Sequence, residues 1–206
     1  MITYRGLPAP IICDFMSREE SRSRYAPGTE FHIGKIEMVA NTGTYVDSPF
    51  HRYADGADLS QLDLESVANV ECVVIRVDHV ERSIGPEYLD DLDFAGKAVL
   101  VNTGWDRNWR TDAYFEDHPH LTEETATRLV EGNARIVGID SFNIDSIATG
   151  ARPVHTVLLR QGIPIIEHMC NLGAVPESGA YITAAPAPVK GMGTFPVRAF
   201  AIVREW

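Results

Sequence analysis

The chain contains 206 residues, 45% of them hydrophobic and 23% charged, which is the length and balance of a single globular domain. Its 29 acidic and 18 basic residues give a formal net charge of -11, which disfavours binding to nucleic acid and to anionic membrane surfaces. No apolar run approaches the roughly 18 residues of a membrane span, and three widely spaced cysteines do not indicate a disulfide framework. We therefore expect one cytoplasmic domain over residues 1–206.

The first distinctive segment is a charged, Ser- and Arg-rich stretch at residues 16–30 that ends with a Pro-Gly turn. An arm and a lid fit this composition, but a solvated loop is the simplest interpretation. Six later segments are rich in β-branched residues and have the length of strands. They cover residues 31–40, 70–77, 98–102, 135–140, 163–167 and 197–203.

Two helices are predicted in the second half of the chain. Thr122 is a favoured N-cap, two glutamates follow it, and apolar residues recur at positions 126, 129 and 130. A second helix is expected to begin near Pro153 and to end at Gly162. Strands and helices thus alternate from residue 98 to residue 167, which predicts parallel strands joined by helical crossovers. The expected fold class is α/β with additional strands.

This alternation has a consequence for His155 and Glu167. His155 lies in the first turn of a crossover helix, and Glu167 ends the strand that follows it. Both are therefore expected at the carboxyl edge of the sheet, where ligands bind in such folds. The alternative is that His155 is a packing residue and Glu167 a loop acid.

The densest group of polar and turn-forming residues is Asn41-Thr-Gly-Thr-Tyr45-Val-Asp47-Ser-Pro49-Phe-His51. Its glycine and proline predict a local turn that brings Asp47 close to His51. An Asp beside a His serves either as an orienting partner for a base or as one of two metal ligands. The alternative is an Asp that bonds to the turn backbone next to a surface His.

This segment resembles the signature His-x-Gly-Thr-His-x-Asp-x-Pro-x-His of the cyclase-like metal-dependent hydrolases, the family of bacterial kynurenine formamidase and isatin hydrolase. The resemblance continues in the same order over roughly residues 35–203. Its further blocks are Asn102-Thr-Gly-Trp105, Gly138-Ile-Asp140 with Ile144-Asp145, His155 with Glu167 and Asn171-Leu172, and the C-terminal Gly193-Thr-Phe-Pro-Val-Arg198. The resemblance implies the family's swivelling β/β/α fold, a single domain with a mixed, partly parallel sheet.

The resemblance also implies a metal centre, usually of zinc or manganese, in which the first two signature histidines and the Asp are ligands. Here Asn41 and Tyr45 replace those two histidines. An amide is a poor zinc ligand, and a phenol with a pKa of about 10 stays protonated at neutral pH. The resemblance therefore implies a reduced site in which Asp47, His155 and Glu167 hold one divalent ion.

Three functions are compatible with these residues. The first is hydrolysis of an amide, N-formyl amide, cyclic amide or lactone by one zinc or manganese ion, with His51 in proton transfer. The second is a metal-free isomerase, lyase or cyclase in which His51 is a base oriented by Asp47, with Tyr45 and Asn41 as hydrogen-bond donors. The third is non-catalytic binding of a small molecule. The arylformamidase-like hydrolase is our leading hypothesis.

Further residues bear on the substrate and on partners. Trp105 belongs to an aromatic-rich stretch that helps to wall the pocket in the family, which favours an aromatic or planar substrate; the alternative is ordinary loop packing. Arg52 is expected to give the pocket local positive charge. Asn41, Trp105 and Arg52 are the residues expected to bind the substrate. The resemblance further implies a homodimer or a larger homo-oligomer, with residues 1–30 as an arm on the neighbouring subunit.

Overall fold

The computed structural model describes residues 6–78 and 80–203, so the first five residues of the predicted arm lie outside it. In this described part the chain forms twelve strands and three α-helices. The strands are β1 Ile11–Met16, β2 Ile33–Glu37, β3 Tyr45–Asp47, β4 Val70–Arg76, β5 Ser83–Ile84, β6 Ala98–Asn102, β7 His120–Leu121, β8 Ile136–Ile139, β9 Ile165–Glu167, β10 Ala180–Thr183, β11 Thr194–Pro196 and β12 Phe200–Val203. The helices are α1 Arg18–Arg24, α2 Glu123–Glu131 and α3 Pro153–Arg160.

A mixed sheet of eight strands organises the described residues, in the order β11-β3-β9-β8-β6-β4-β10-β12. Its four central strands, β9, β8, β6 and β4, are parallel to their neighbours in that group. The flanking strands β3, β11, β10 and β12 pair antiparallel. The predicted α/β class with a mixed, partly parallel sheet is thereby confirmed.

The crossover helices were correctly predicted because their local signals are strong. The Thr122 side chain accepts a hydrogen bond from the Thr125 amide and caps α2, and Pro153 begins α3. Both helices pack on one face of the central strands, in a core that includes Leu129, Val154 and Leu158. The opposite face of the sheet is covered by a second apolar core, so the central strands are apolar on both faces.

The prediction of a solvated loop at residues 16–30 is wrong over its first half. Residues Arg18–Arg24 form α1, which the Ser17 side chain caps by accepting the Glu20 amide. Glu20 also pairs with Arg24 one turn later. The sequence shows no apolar period because α1 has almost no buried face, so local capping and ion pairs define this helix.

The N-terminal segment forms a two-stranded antiparallel sheet of its own, β1 with β2. Large apolar side chains are exposed on it: Ile12 and Phe15 are each 70% exposed and Ile36 is 57% exposed. Among the described residues, no helix combines the length and apolar character needed to span a bilayer.

Candidate active site

Three adjacent strands at one side of the sheet build a row of polar side chains. In the antiparallel pairing, Thr194 of β11 lies opposite Asp47 of β3, and Tyr45 of β3 lies opposite Glu167 of β9. Directly opposed residues point to the same face, as do residues two apart on one strand. The Tyr45 hydroxyl donates to Glu167 Oε2 at 2.5 Å, and the Thr194 hydroxyl donates to Asp47 Oδ1. All four residues are buried.

Helix α3 places His155 beside this row of side chains. Asp145 fixes the histidine in two ways, because its carboxylate accepts the Val154 and His155 amides at the helix start and also contacts His155 Nδ1 at 2.6 Å. With Nδ1 engaged, Nε2 is the ring nitrogen directed at the polar row. It lies 3.7 Å from Asp47 Oδ2 and 3.7 Å from Glu167 Oε1. The structure thus brings His155 and Glu167 to one edge, as the alternation of elements predicts.

His51 closes the row from a short 3-10 helix, Pro49–His51, that directly follows β3. Its Nδ1 lies 2.8 Å from the Thr194 hydroxyl and 3.4 Å from Asp47 Oδ1. Because the Thr194 proton is donated to Asp47, the hydroxyl oxygen accepts from His51 Nδ1–H. This places the proton of a neutral His51 on Nδ1 and leaves Nε2 as the acceptor. The predicted proximity of Asp47 and His51 is confirmed, because Asp47 ends β3 and the turn that follows brings His51 back to it.

Gly193 directly precedes the edge strand β11 and sets how closely β11 approaches the Pro49–His51 turn. The Ser48 amide donates to the Gly193 carbonyl oxygen at 2.7 Å. A Cβ atom at Gly193 would lie only 2.3 Å from the His51 backbone nitrogen. Glycine is therefore needed here for close backbone approach.

The electrostatics of the cluster favour a cation. Burial opposes charge on His155, but the carboxylates of Asp145, Asp47 and Glu167 outweigh burial and raise the pKa of His155 to about 10. Burial and the neighbouring Asp47 raise the pKa of Glu167, against the opposing effect of His155. Three buried carboxylates surround one imidazole, so the site carries more negative charge than His155 alone can balance.

The donor set fits a divalent metal ion. Asp47 Oδ2 is buried and has no hydrogen-bond partner among the described residues. This oxygen lies 3.7 Å from His155 Nε2, a separation at which both atoms could be ligands of one ion. Single ligand atoms of Asp47, His51 and His155 all lie within 4.8 Å of one another. Glu167 is an alternative third ligand, although its Oε1 already accepts the Ile144 amide and its Oε2 the Tyr45 hydroxyl.

The row opens into a pocket of about 100 Å³. The lining residues are Asn41, Tyr45, His51, Arg52, Asn143, Arg152, His155 and Glu167. The pocket therefore brings Asn41, Tyr45 and His51 of the signature segment together with His155 and Glu167, whereas Asp47 is buried and is not among the lining residues.

Trp105 is placed differently from the other predicted residues. It is buried, its indole N–H donates to the Tyr114 carbonyl oxygen at 3.0 Å, and the Arg82 guanidinium covers its ring. It is not among the residues that line the pocket. Its role in substrate binding stays a prediction.

Three site residues, Thr194, Asn143 and Arg152, were not predicted from the sequence. Thr194 is 147 positions from the carboxylate that it contacts, so no local pattern links the two. Arg152 immediately precedes the proline that begins α3. Its position beside a helix start at the carboxyl edge of the sheet is the signal that could have identified it.

Comparison with known proteins agrees with this architecture. A family model named Cyclase matches residues 7–146. Kynurenine formamidase of Geobacillus thermodenitrificans is 31% identical over 183 residues, which cover 87% of this chain and 84% of that protein. Kynurenine formamidase of Bacillus cereus is 29% identical over 184 residues, covering 89% and 82%.

Solved structures show the same fold. Isatin hydrolase A from Labrenzia aggregata, bound to benzyl benzoate, superimposes with a TM-score of 0.79 at 24% identity, over 98% of this chain and 86% of that one. A structure described as a potential metal-dependent hydrolase with cyclase activity matches with a TM-score of 0.69 at 27% identity, over 96% and 100%. The family model and the formamidase relatives establish that this chain belongs to the Cyclase family.

Proposed function

We propose that this protein is a metal-dependent hydrolase that cleaves the carbon–nitrogen bond of an amide, N-formyl amide or cyclic amide, or the corresponding bond of a lactone. The observation that carries the proposal is the buried Asp47 Oδ2, which has no hydrogen-bond partner among the described residues and lies 3.7 Å from His155 Nε2, beside the pocket that His51 and His155 line. The relatives named kynurenine formamidase and isatin hydrolase support the same class of reaction.

One divalent ion, zinc or manganese, is proposed to be held by Asp47, His155 and Glu167. These residues offer one imidazole nitrogen and carboxylate oxygens, which suit either ion. Such an ion, when bound, lowers the pKa of water and polarises a carbonyl group. Asp145 holds His155 by Nδ1, which keeps Nε2 available as a ligand atom.

Residues of the chain itself are proposed to transfer the proton and to bind the substrate carbonyl group. Hydrolysis adds the water oxygen to the carbonyl carbon and a proton to the departing nitrogen or oxygen. His51 Nε2 takes the proton from water and returns it to the leaving atom, while Thr194 keeps the ring oriented through Nδ1. Asn41 and Tyr45 line the same pocket and provide polar groups beside the substrate carbonyl.

The deciding experiment is elemental analysis of the purified protein together with formanilide hydrolysis before and after exhaustive chelation. We expect about one ion per chain and loss of turnover on chelation. Glu167→Gln should lose the ion, whereas His51→Gln should keep the ion and lose turnover. Loss of the ion in His51→Gln but not in Glu167→Gln would instead make His51 the third ligand. Turnover that survives complete chelation would contradict metal dependence.

The variant Asn41→His/Tyr45→His tests the two positions that depart from the family signature. These substitutions supply two further imidazoles beside Asp47. We expect the double variant to bind more metal per chain than the wild type. An unchanged metal content would show that Asn41 and Tyr45 are not what reduces the site.

The N-terminal arm is proposed to pack on a second copy of the chain, giving a homodimer or larger homo-oligomer. The sheet formed by β1 and β2 exposes Ile12, Phe15 and Ile36, which would gain most from burial. Sedimentation analysis of Ile12→Lys/Phe15→Lys should show dissociation, and an unchanged mass would contradict this role. A cytoplasmic location is proposed because Cys13, Cys72 and Cys170 are all free thiols.

A further inference from the structure

The edge strand β11, which carries Thr194 into the site, is held in the sheet by a short ladder. It pairs with β3 over three residues, and the last of them, Pro196, has no amide hydrogen to donate. Residues 184–193, which lead from β10 to β11, form neither helix nor strand. The position of the Thr194 hydroxyl, 2.8 Å from His51 Nδ1, therefore depends on the contacts that fix this irregular segment.

The buried carboxylate of Asp58 provides one of these contacts. Its Oδ2 accepts the Gly191 amide at 2.7 Å, and the adjacent Leu59 amide donates to the Met192 carbonyl oxygen at 2.9 Å. Its Oδ1 accepts the amide and the hydroxyl of Ser60 at 2.9 and 2.7 Å, which fixes the direction of the carboxylate. The Gly191 amide, followed by the Ser60 hydroxyl, lowers the pKa of Asp58, so these bonds are charge-assisted at neutral pH.

The loop of residues 57–61, which contains Asp58, is also bonded to the Pro49–His51 turn. The Phe50 amide of this turn donates to the Ala57 carbonyl oxygen at 3.0 Å, in the residue directly before Asp58. One short loop thus contacts both the turn and the segment that leads to β11. Asp58 is not among the residues that line the pocket, so any effect it has on the site must pass through these two backbone segments.

We propose that Asp58 is a positioning residue that holds the Thr194 hydroxyl against His51 Nδ1 by fixing the segment that leads to β11. The proposal rests on the proposed hydrolase function where it concerns proton transfer, but the tautomer of His51 can be measured without turnover. With Thr194 in place, a neutral His51 carries its proton on Nδ1 and offers Nε2 as the acceptor. If the hydroxyl moves away, the nearest carboxylate oxygen, Asp47 Oδ1 at 3.4 Å, is beyond the usual N–H···O distance. The ring can then adopt the other tautomer, in which Nε2 cannot take a proton from water.

Asp58→Ala tests the proposal by two measurements. Long-range proton–nitrogen NMR on the purified full-length protein with zinc present, at about pH 8.5 and so well above the usual imidazole pKa of about 6.5, reports the tautomer of His51. We expect the wild type to show mainly the Nδ1–H form and the variant to show a mixture of both forms. In formanilide hydrolysis, kcat should fall about 10- to 100-fold and KM should change less than about twofold, because the proton carrier is displaced while the pocket lining is unaltered.

Asp63→Ala and Asp58→Asn are the matched variants. Asp63 also accepts a backbone amide in the same connection, that of Glu65 at 3.1 Å, but this bond lies within its own short turn. Asp63→Ala should therefore keep the wild-type tautomer and kcat. Asp58→Asn keeps one acceptor oxygen and should lie between the wild type and Asp58→Ala in both measurements. It takes the place of the alanine variant if that protein does not fold.

The tautomer decides the proposal, whether or not the protein hydrolyses formanilide. A wild-type tautomer in the folded Asp58 variants would overturn it, and so would an unchanged kcat in an active enzyme. An equal shift in Asp63→Ala, or a wild type without a preference for Nδ1–H, would also contradict it. If the wild type does not hydrolyse formanilide and Asp58→Ala still shifts the tautomer of His51, the hydrolase proposal loses support and the positioning role of Asp58 stands.

Discussion

Replacing Gly193 by alanine tests whether β11, the edge strand that begins directly after it, positions His51. The added Cβ would lie 2.3 Å from the His51 nitrogen and 2.5 Å from its Cα. Because non-bonded carbons normally stay about 3.5 Å apart or more, the strand and the turn must separate by about 1 Å. A displacement of about 1 Å in a catalytic group costs up to about 100-fold in rate. We expect kcat/KM for formanilide to fall by roughly 10- to 100-fold, with a loss of about 1–3 kcal/mol in the free energy of unfolding.

The controls for this variant separate steric displacement from a general effect of losing glycine. Gly193 does not have a positive φ, so alanine meets a steric clash there and no backbone strain of the left-handed kind. Gly150 also lacks a positive φ, and a Cβ there would meet nothing within 4 Å. Gly150→Ala should therefore retain the wild-type rate and stability. A Gly193→Ala enzyme with wild-type kcat/KM and an unchanged urea midpoint would refute the reasoning.

Three further predictions concern hydrogen bonds and burial in or near the site. Thr194→Val removes the donor to Asp47, a bond to a charged group worth about 1.5–3 kcal/mol, so kcat/KM for formanilide should fall about 10- to 100-fold. Thr194→Ser should restore most of it, and a Val variant as fast as the Ser variant would argue against the bond. Tyr45→Phe removes the hydroxyl that donates to Glu167 Oε2. We expect metal affinity, measured by competition with a chelator, to become about 10- to 100-fold weaker. Equal affinity in the variant and the wild type would show that Tyr45 does not orient Glu167 as a metal ligand. Burial lowers the pKa of His118 to about 4 in the folded protein, whereas the unfolded chain has a pKa of about 6.5 at this residue. Between these two pH values the unfolded state binds one more proton than the folded state. The free energy of unfolding therefore falls as the pH drops through this window, by at most about 1.4 kcal/mol per pH unit. In urea unfolding between pH 7 and pH 4, His118→Phe should show a shallower decline, and identical slopes would contradict the assignment.

The parts of the fold with strong local signals could be predicted from the sequence. The α2 and α3 helices follow from a capping threonine, an N-terminal proline and a helical apolar period, and β6 from an uninterrupted apolar run. The juxtaposition of His155 and Glu167 followed from these elements alone, since both lie at the carboxyl edge of parallel strands. The turn residues of the signature segment predicted the proximity of Asp47 and His51, and the resemblance to a family added their roles together with Asn41 and Tyr45.

What the sequence did not predict depends on long-range pairing or on the absence of an apolar face. The strands β3 and β11 have three residues each, too short for an alternating pattern to be recognised. Strand β3 forms because β9 offers an edge, β11 then pairs with β3, and Thr194 joins the site through this second pairing. Helix α1 was missed for the opposite reason, because its stability comes from capping and ion pairs on an exposed surface.

The row of side chains across β11, β3 and β9 has a consequence for folding. Thr194 and Asp47 are 147 positions apart, and Tyr45 and Glu167 are 122 positions apart. Contacts of such high sequence separation form slowly, because long loops must close before the contacts contribute any stability. The proposed ligands Asp47 and Glu167 therefore come together only after β3 has paired with β9. An ion held by the proposed ligands would then stabilise the folded protein by mass action, so the free energy of unfolding should rise with the concentration of free ion.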